Sequence, residues 1–262
     1  MTCCFFNSQI SDSPLYLIYA QSKLKIIICG EIVAKWCCFL FIIISSQSVA
    51  KLNIVTEHFP PAQYLDENNQ LVGDIADKVR RVLDASALDY AISVNGWSTA
   101  FNMALRDPQT CIFSMTRSIS RENKFVWIAK LAELDAYLYA LNSKNIAITS
   151  LEQAKQYRIA VLKDNYSHHY LLSQGFEEGK NLMLMSSFDN IFQIVQNRKN
   201  SIDMVVLPEQ RAQYEQAKGD MADKLLPVLR LDLEQPGLYF ACNKQLDNPT
   251  KTRLSSAFST YQ

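Results

Sequence analysis

From Leu52 onward the chain alternates short apolar runs with stretches of helical periodicity, and it does so twice. Leu52-Asn-Ile-Val-Thr56 reads as a buried strand. Phe59-Pro60-Pro61 stops it, because proline lacks the N–H that a ladder needs and restricts the residue before it. Ile75, Val79, Val82 and Leu83 share one stripe of a helix over 74–85. A strand over 90–94 follows, then a helix carrying Phe101, Ala104 and Leu105 with Ser98 as its expected cap, then a strand over 111–114. This order predicts a mostly parallel sheet with helices on both faces. A second unit repeats the pattern, with strands over 136–141, 158–162 and 202–207, a helix starting at Ser150, and helices over 167–173 and 190–196. A last strand over 237–242 and a helix over 251–259 close the chain. Two α/β units predict two lobes, with ligands bound at the carboxyl ends of strands and between the lobes.

The remaining composition excludes other classes. Lys plus Arg and Asp plus Glu both number 26 in 262 residues, so no basic excess marks a nucleic-acid partner. With 48% apolar residues the chain can bury a core, which argues against disorder.

The first fifty residues are expected to lie outside the fold. A short apolar run, Trp36 to Ile44, sits behind Lys23, Lys25 and Lys35 and is followed by Ser48-Val49-Ala50. The run is too short to span a bilayer as a helix and ends in a small-x-small site, the pattern of a secretory signal peptide cleaved after Ala50. The alternative is an anchor that stays attached. Removal of this segment takes five of the seven cysteines, leaving Cys111 and Cys242, each in an apolar, strand-like run. Buried free thiols are the default expectation for them, and a single disulfide the alternative.

Several segments carry a family resemblance. They are Glu57-His-Phe-Pro-Pro-Ala-Gln-Tyr64, Leu71-Val-Gly-Asp-Ile-Ala-Asp77, Asn95-Gly-Trp97, and Phe113-Ser-Met-Thr-Arg-Ser-Ile-Ser-Arg121 followed by Phe125-Val-Trp127. Arg158-Ile-Ala-Val-Leu162 and Asn200-Ser-Ile-Asp203 continue the series. In order and spacing the chain resembles the family-3 extracellular solute-binding proteins, receptors of amino-acid ABC transporters, over about residues 52–258. The resemblance implies a two-lobed periplasmic-binding-protein-like α/β fold: 51–131 with 236–262 as one lobe, 132–235 as the other, and a ligand cleft between them. The chain is expected to leave the first lobe near 130–133 and to return near 233–237.

The resemblance also implies a site. Arg121 matches the arginine that grips the ligand's α-carboxylate, and a guanidinium offers a planar fork suited to that task. Ser114 and Thr116, on alternate strand positions, match hydroxyls that bond the same ligand. Arg117 is read as a second anion contact or as the partner of a structural acid. Phe59 and Trp97 match two walls around the ligand side chain, and Glu57 an acid near the cleft mouth. Asn165, Tyr166 and Ser167 fall in the loop that closes on the ligand, where the family's small residues are replaced. Many of these receptors hold the ligand's ammonium with an aspartate just past the strand ending at Leu207. Here that position is Pro208, so either Glu209 substitutes for it or the ligand is not a standard α-amino acid. His168-His169 reads as an exposed helix start rather than a metal site. The family's longer closing helix is missing, which implies a truncated C-terminus.

The function implied is capture of an amino acid or related small carboxylate for ABC-type import. No cofactor, metal, nucleic acid or catalysis is expected, the partner would be an ABC permease, and the receptor would be a periplasmic monomer. The alternatives are an enzyme on the same fold, similar to cyclohexadienyl dehydratases, with Glu57 or Glu209 as its acid, and a ligand-sensing module. Replacing Arg121 with alanine is expected to lower affinity by about two to four orders of magnitude while barely touching folding.

Overall fold

The computed structural model describes residues 51–218, 224–234 and 237–261. The expected signal segment over 1–50 and its cleavage after Ala50 lie outside them. The strands are β1 (Leu52–Glu57), β2 (Tyr64–Leu65), β3 (Leu71–Val72), β4 (Tyr90–Asn95), β5 (Thr110–Met115), β6 (Phe125–Ala132), β7 (Ala136–Leu141), β8 (Ile159–Leu162), β9 (Leu182–Met185), β10 (Met204–Pro208), β11 (Leu225–Arg230) and β12 (Leu238–Asn243). The helices are α1 (Asp74–Ala85), α2 (Trp97–Arg106), α3 (Ile119–Glu122), α4 (Leu151–Ala154), α5 (Tyr166–Ser173), α6 (Ile191–Asn197), α7 (Glu209–Ala217) and α8 (Asn248–Tyr261).

Two five-stranded sheets organise the chain. The first has the order β4-β1-β5-β12-β6 and the second β11-β7-β10-β8-β9. In each, four strands run one way and a single strand runs against them. In the first, β1 pairs in parallel with β4 and β5, whereas β12 runs antiparallel to β5 and β6. In the second, β8 pairs in parallel with β9 and β10, whereas β7 runs antiparallel to β10 and β11. The antiparallel members are the strands without a preceding crossover helix, and direct connections of this kind need no βαβ unit. We call each sheet with its helices a lobe.

Side-chain alternation along β1 shows why both faces are buried. Ile54 packs with Val79 and Leu83 of α1 and Phe258 of α8, while Val55 packs with Ala100 and Ala104 of α2. In the second lobe Val206 lies in a core with Leu171 of α5, and Val205 in one with Ile191 and Val195 of α6. Gly73, before α1, is held at φ 117, and a Cβ there would fall 2.5 Å from the Pro61 carbonyl oxygen. That close approach lets the Ala62 carbonyl accept hydrogen bonds from the N–H groups of Ile75 and Ala76. The loop carrying Phe59 is thereby fixed to the start of α1.

The two cysteines are neighbours on β5 and β12 and form a disulfide, in place of the expected free thiols. Thiols 131 positions apart meet only because β12 returns to the first sheet after the second lobe is complete. The chain passes from β6 to β7 through Glu133–Asp135, and from β11 to β12 through 231–237, of which 235 and 236 lie outside the described residues. The two passages meet where the Leu231 N–H donates to the Ala136 carbonyl at 2.8 Å and Arg230 pairs with Asp135.

Candidate functional site

The carboxyl ends of β1, β4 and β5 in one lobe and of β8, β9 and β10 in the other open onto a shared cavity of about 730 Å³. This is where parallel strands expose the backbone turns that can meet a ligand. The structure brings Glu57, Phe59, Trp97, Ser114, Thr116, Arg121, Asn165, Tyr166 and Ser167 to its wall. It does not bring Arg117 or Glu209. Arg117 pairs with Glu122 and lies over the rings of Trp127 and Tyr239, so the structural-acid alternative describes it. Glu209 is half-buried at the first turn of α7 and accepts from Gln213 Nε2 at 3.2 Å, and Pro208 lines the cavity in its place.

Arg121 is 3% exposed. Its Nη1 donates to the Thr116 carbonyl at 3.0 Å and its Nη2 to the Asp164 carbonyl at 3.4 Å. The guanidinium lies 5.1 Å from the ring centroids of both Trp97 and Phe101. Burial lowers its pKa to about 10, with Glu57 and Tyr166 opposing the shift, so it remains cationic at neutral pH. A side chain this enclosed supports the fold as well as any ligand, contrary to the expectation that its loss leaves folding untouched.

Ser114 and Thr116 reach the cavity by a different route from strand alternation. Ser114 has φ 62, which breaks the pleat at the end of β5, and the β5–β12 register shifts there. Its hydroxyl donates to Gln63 Oε1 at 2.7 Å. Gln63 is fully buried, and its Nε2 has no hydrogen-bond partner among the described residues.

Glu57, the last residue of β1, is the acid of the first-lobe wall. Burial pushes its pKa up to about 7, and the charges of Arg211 and Arg121 restrain the rise.

Asp164 joins the lobes. Its carbonyl accepts from Trp97 Nε1 at 2.7 Å as well as from Arg121, and its carboxylate accepts from Ser98 Oγ at 2.9 Å. Ser98 thus serves this bridge, and Gly96 occupies the cap position of α2. Leu162 and Phe188 from the second lobe pack with Trp97 and Phe101 in one apolar cluster. Asn165 caps α5 by accepting from the His168 N–H at 2.8 Å.

His168 is buried rather than exposed. Asp164, His168 and His169 bring ligand atoms within 4.8 Å of one another. However, His168 Nδ1 accepts from the Asp164 N–H at 3.1 Å, which leaves Nε2 to donate to Glu178 at 3.0 Å. With both ring nitrogens committed, the group is a structural bridge between a loop and α5.

The second lobe supplies residues that the sequence did not single out. Arg211, Glu215 and Lys218 line the cavity from α7 and its end, and Asp189 faces His58 at 3.9 Å from the loop after β9. Arg211 is 3% exposed, donates through Nη2 to the Phe188 carbonyl at 3.0 Å, and places Nε 2.9 Å from Glu215. Their spacing of three and four residues, directly after the carboxyl end of a buried strand, is the sequence signal that marks them as one helical stripe.

No family model matches the chain, and no curated protein matches it in sequence. Solved structures do match it in shape. A histidine kinase sensor domain with similarity to periplasmic binding proteins aligns at TM-score 0.71 with 16% identity, over 80% of this chain and 90% of that one. The fold is that of the periplasmic binding proteins. Arginine-bound ArgBP from T. maritima aligns at TM-score 0.67 with 16% identity, over 81% of this chain and 96% of that one. A histidine-bound ABC uptake transporter substrate-binding protein from Streptococcus pneumoniae aligns at 0.66 with 14% identity, over 80% and 86%.

Proposed function

We propose that this protein is a solute-binding receptor that captures an amino acid or related small carboxylate between its lobes and delivers it for ABC-type import. The observation that carries the reading is the buried, cationic Arg121 on the wall of an interlobe cavity, beside the hydroxyls of Ser114 and Thr116. A guanidinium in such a site offers a carboxylate charge-assisted hydrogen bonds in place of water. ArgBP and the histidine-bound protein share the fold and are named for amino-acid ligands, which supports the class of solute. The lobes, 51–131 with 236–262 and 132–235, would close by rotation about the passages at Glu133–Asp135 and 231–237.

Export is part of the same proposal, with residues 1–50 as the signal segment and an ABC permease as the partner. Intact-mass measurement of protein from the periplasmic fraction should give a chain starting at Lys51.

A thermal-shift screen against amino acids and small carboxylates tests the central claim. A ligand at 100 times its Kd should add about 2.7 kcal/mol to the stability. If none of them moves the melting temperature at millimolar concentration, the reading fails. The sensor-domain likeness favours a second reading, in which the same closure reports the solute to a signalling partner. Co-purification with a permease rather than a kinase separates the two.

A further inference from the structure

Asp164 stands at φ 61, in the left-handed region that side chains other than glycine seldom occupy and that aspartate tolerates better than most. From there it makes three contacts with the first lobe. Its carbonyl accepts from Trp97 Nε1 at 2.7 Å and from Arg121 Nη2 at 3.4 Å, and its carboxylate accepts from Ser98 Oγ at 2.9 Å. The angle φ relates a residue's N–H to its carbonyl and its side chain. With the Asp164 N–H fixed in direction, the left-handed φ is what aims the other two groups across the cleft, and a return to the right-handed region would turn them elsewhere.

His168 fixes that N–H. Its Nδ1 accepts the Asp164 N–H at 3.1 Å, the one acceptor this group has among the described residues. An amide N–H can only donate, so Nδ1 must offer its lone pair and Nε2 must carry the ring proton. Glu178 Oε1, 3.0 Å from Nε2, takes that proton in a hydrogen bond and holds the ring in this tautomer. The backbone closes the same turn from the other side, where the His168 N–H donates to Asn165 Oδ1 at 2.8 Å. His168 is buried but contributes nothing to the cavity wall, and it reaches the first lobe through Asp164.

We infer that His168 is a positioning residue for lobe closure: by holding the Asp164 N–H it keeps the Asp164 carbonyl and carboxylate aimed at Trp97, Arg121 and Ser98. The closed arrangement is thereby set by a side chain that no solute in the cavity touches. One donor of Arg121 is committed to the Asp164 carbonyl, so the direction in which its guanidinium meets a carboxylate depends on the same turn. The inference rests on the reading that the lobes rotate, and it names a residue that fixes where the rotation stops.

Two substitutions separate the ends of the imidazole. In His168→Asn the amide oxygen replaces Nδ1 and the link to Glu178 is lost, whereas in His168→Gln the amide nitrogen replaces Nε2 and the acceptor for Asp164 is lost. The readouts, taken on the purified protein without solute, are hydrogen exchange of the Trp97 indole N–H by NMR, assigned with Trp97→Phe, and the radius of gyration by small-angle scattering. His168→Gln should speed the exchange about fivefold and expand the protein, while His168→Asn stays within about twofold of the wild type, although both lower Tm. Ser98→Ala, which removes one bond of the clasp, should also speed the exchange, and less so in the His168→Gln background, because there the clasp is already released. Equal acceleration in the Asn and Gln variants makes His168 a structural residue only and overturns the inference, as does unchanged exchange in both. If His168→Gln melts too low to measure, His168→Asn and Ser98→Ala carry the test. Loss of Trp97 protection in the first, or its full retention in the second, then overturns the inference. A released Trp97 N–H in His168→Gln with an unchanged radius of gyration leaves the positioning by His168 standing and overturns the rotation of the lobes.

Discussion

Replacing Glu57 with glutamine should stabilise the protein in a way that depends on pH. In the folded chain burial holds this carboxyl at a pKa of about 7, against 4.5 for an ordinary glutamate. Between those values the folded state keeps a proton that the unfolded state has released, so this group's contribution to stability falls as pH rises through the window. Above pH 7 the carboxylate is ionised inside the protein, and the difference in pKa corresponds to about 3 kcal/mol at about 1.4 kcal/mol per tenfold. Glutamine fills the same space without a charge to desolvate. The variant should therefore match the wild type near pH 4.5 and exceed it by about 3 kcal/mol at pH 8. For a chain of this size that is a rise of about 6–12 °C in Tm. Scanning calorimetry of both proteins without ligand, from pH 5 to 8, measures the difference. His58, whose pKa burial lowers, makes stability rise with pH in the acidic range, but it is common to both chains and cancels. A gap that stays constant with pH, or a glutamine variant less stable at pH 8, would refute the reasoning. Either result would mean that Arg211 and Arg121 favour the ionised form at least as much as burial disfavours it.

Three further outcomes follow from the same geometry. Arg121→Ala should lower carboxylate affinity by two to four orders of magnitude in calorimetric titration, at roughly 1.5–3 kcal/mol for each lost charge-assisted bond. It should also reduce Tm without ligand, because the bonds to the Thr116 and Asp164 carbonyls and the packing on Trp97 and Phe101 go with it. Trp97→Phe keeps most of the ring packing but removes the bond to Asp164, so small-angle scattering should show an expanded ligand-free protein, the closed form having lost about 1 kcal/mol. Reducing the Cys111–Cys242 bond, which closes a loop of 131 positions around the whole second lobe, should cost about 5 kcal/mol in denaturant unfolding by the loop-entropy relation. An unchanged midpoint under reductant would show that the bond does not contribute.

What the sequence determined by itself was local. The alternation of apolar runs with helical stripes specifies β1, α1, β4, α2 and β5 because each burial pattern is written within a dozen residues. The Ser-x-Thr-x-x-x-x-Arg spacing likewise brings Ser114, Thr116 and Arg121 to one wall, since a strand end and a short turn set their separation. Where burial is irregular the signal weakens: β6 is only partly buried along its middle, and β11 carries Pro227 and pairs on one side only. The sequence reading passes over Arg211, Glu215 and Lys218, and only the packing of α7 beside the carboxyl end of β10 turns them to the cavity. The tertiary structure also decided the fate of Glu209, Arg117 and the two cysteines. Each depends on a neighbour that is remote in the chain or on which side of a helix meets the core, and hydrophobic periodicity carries no information about either.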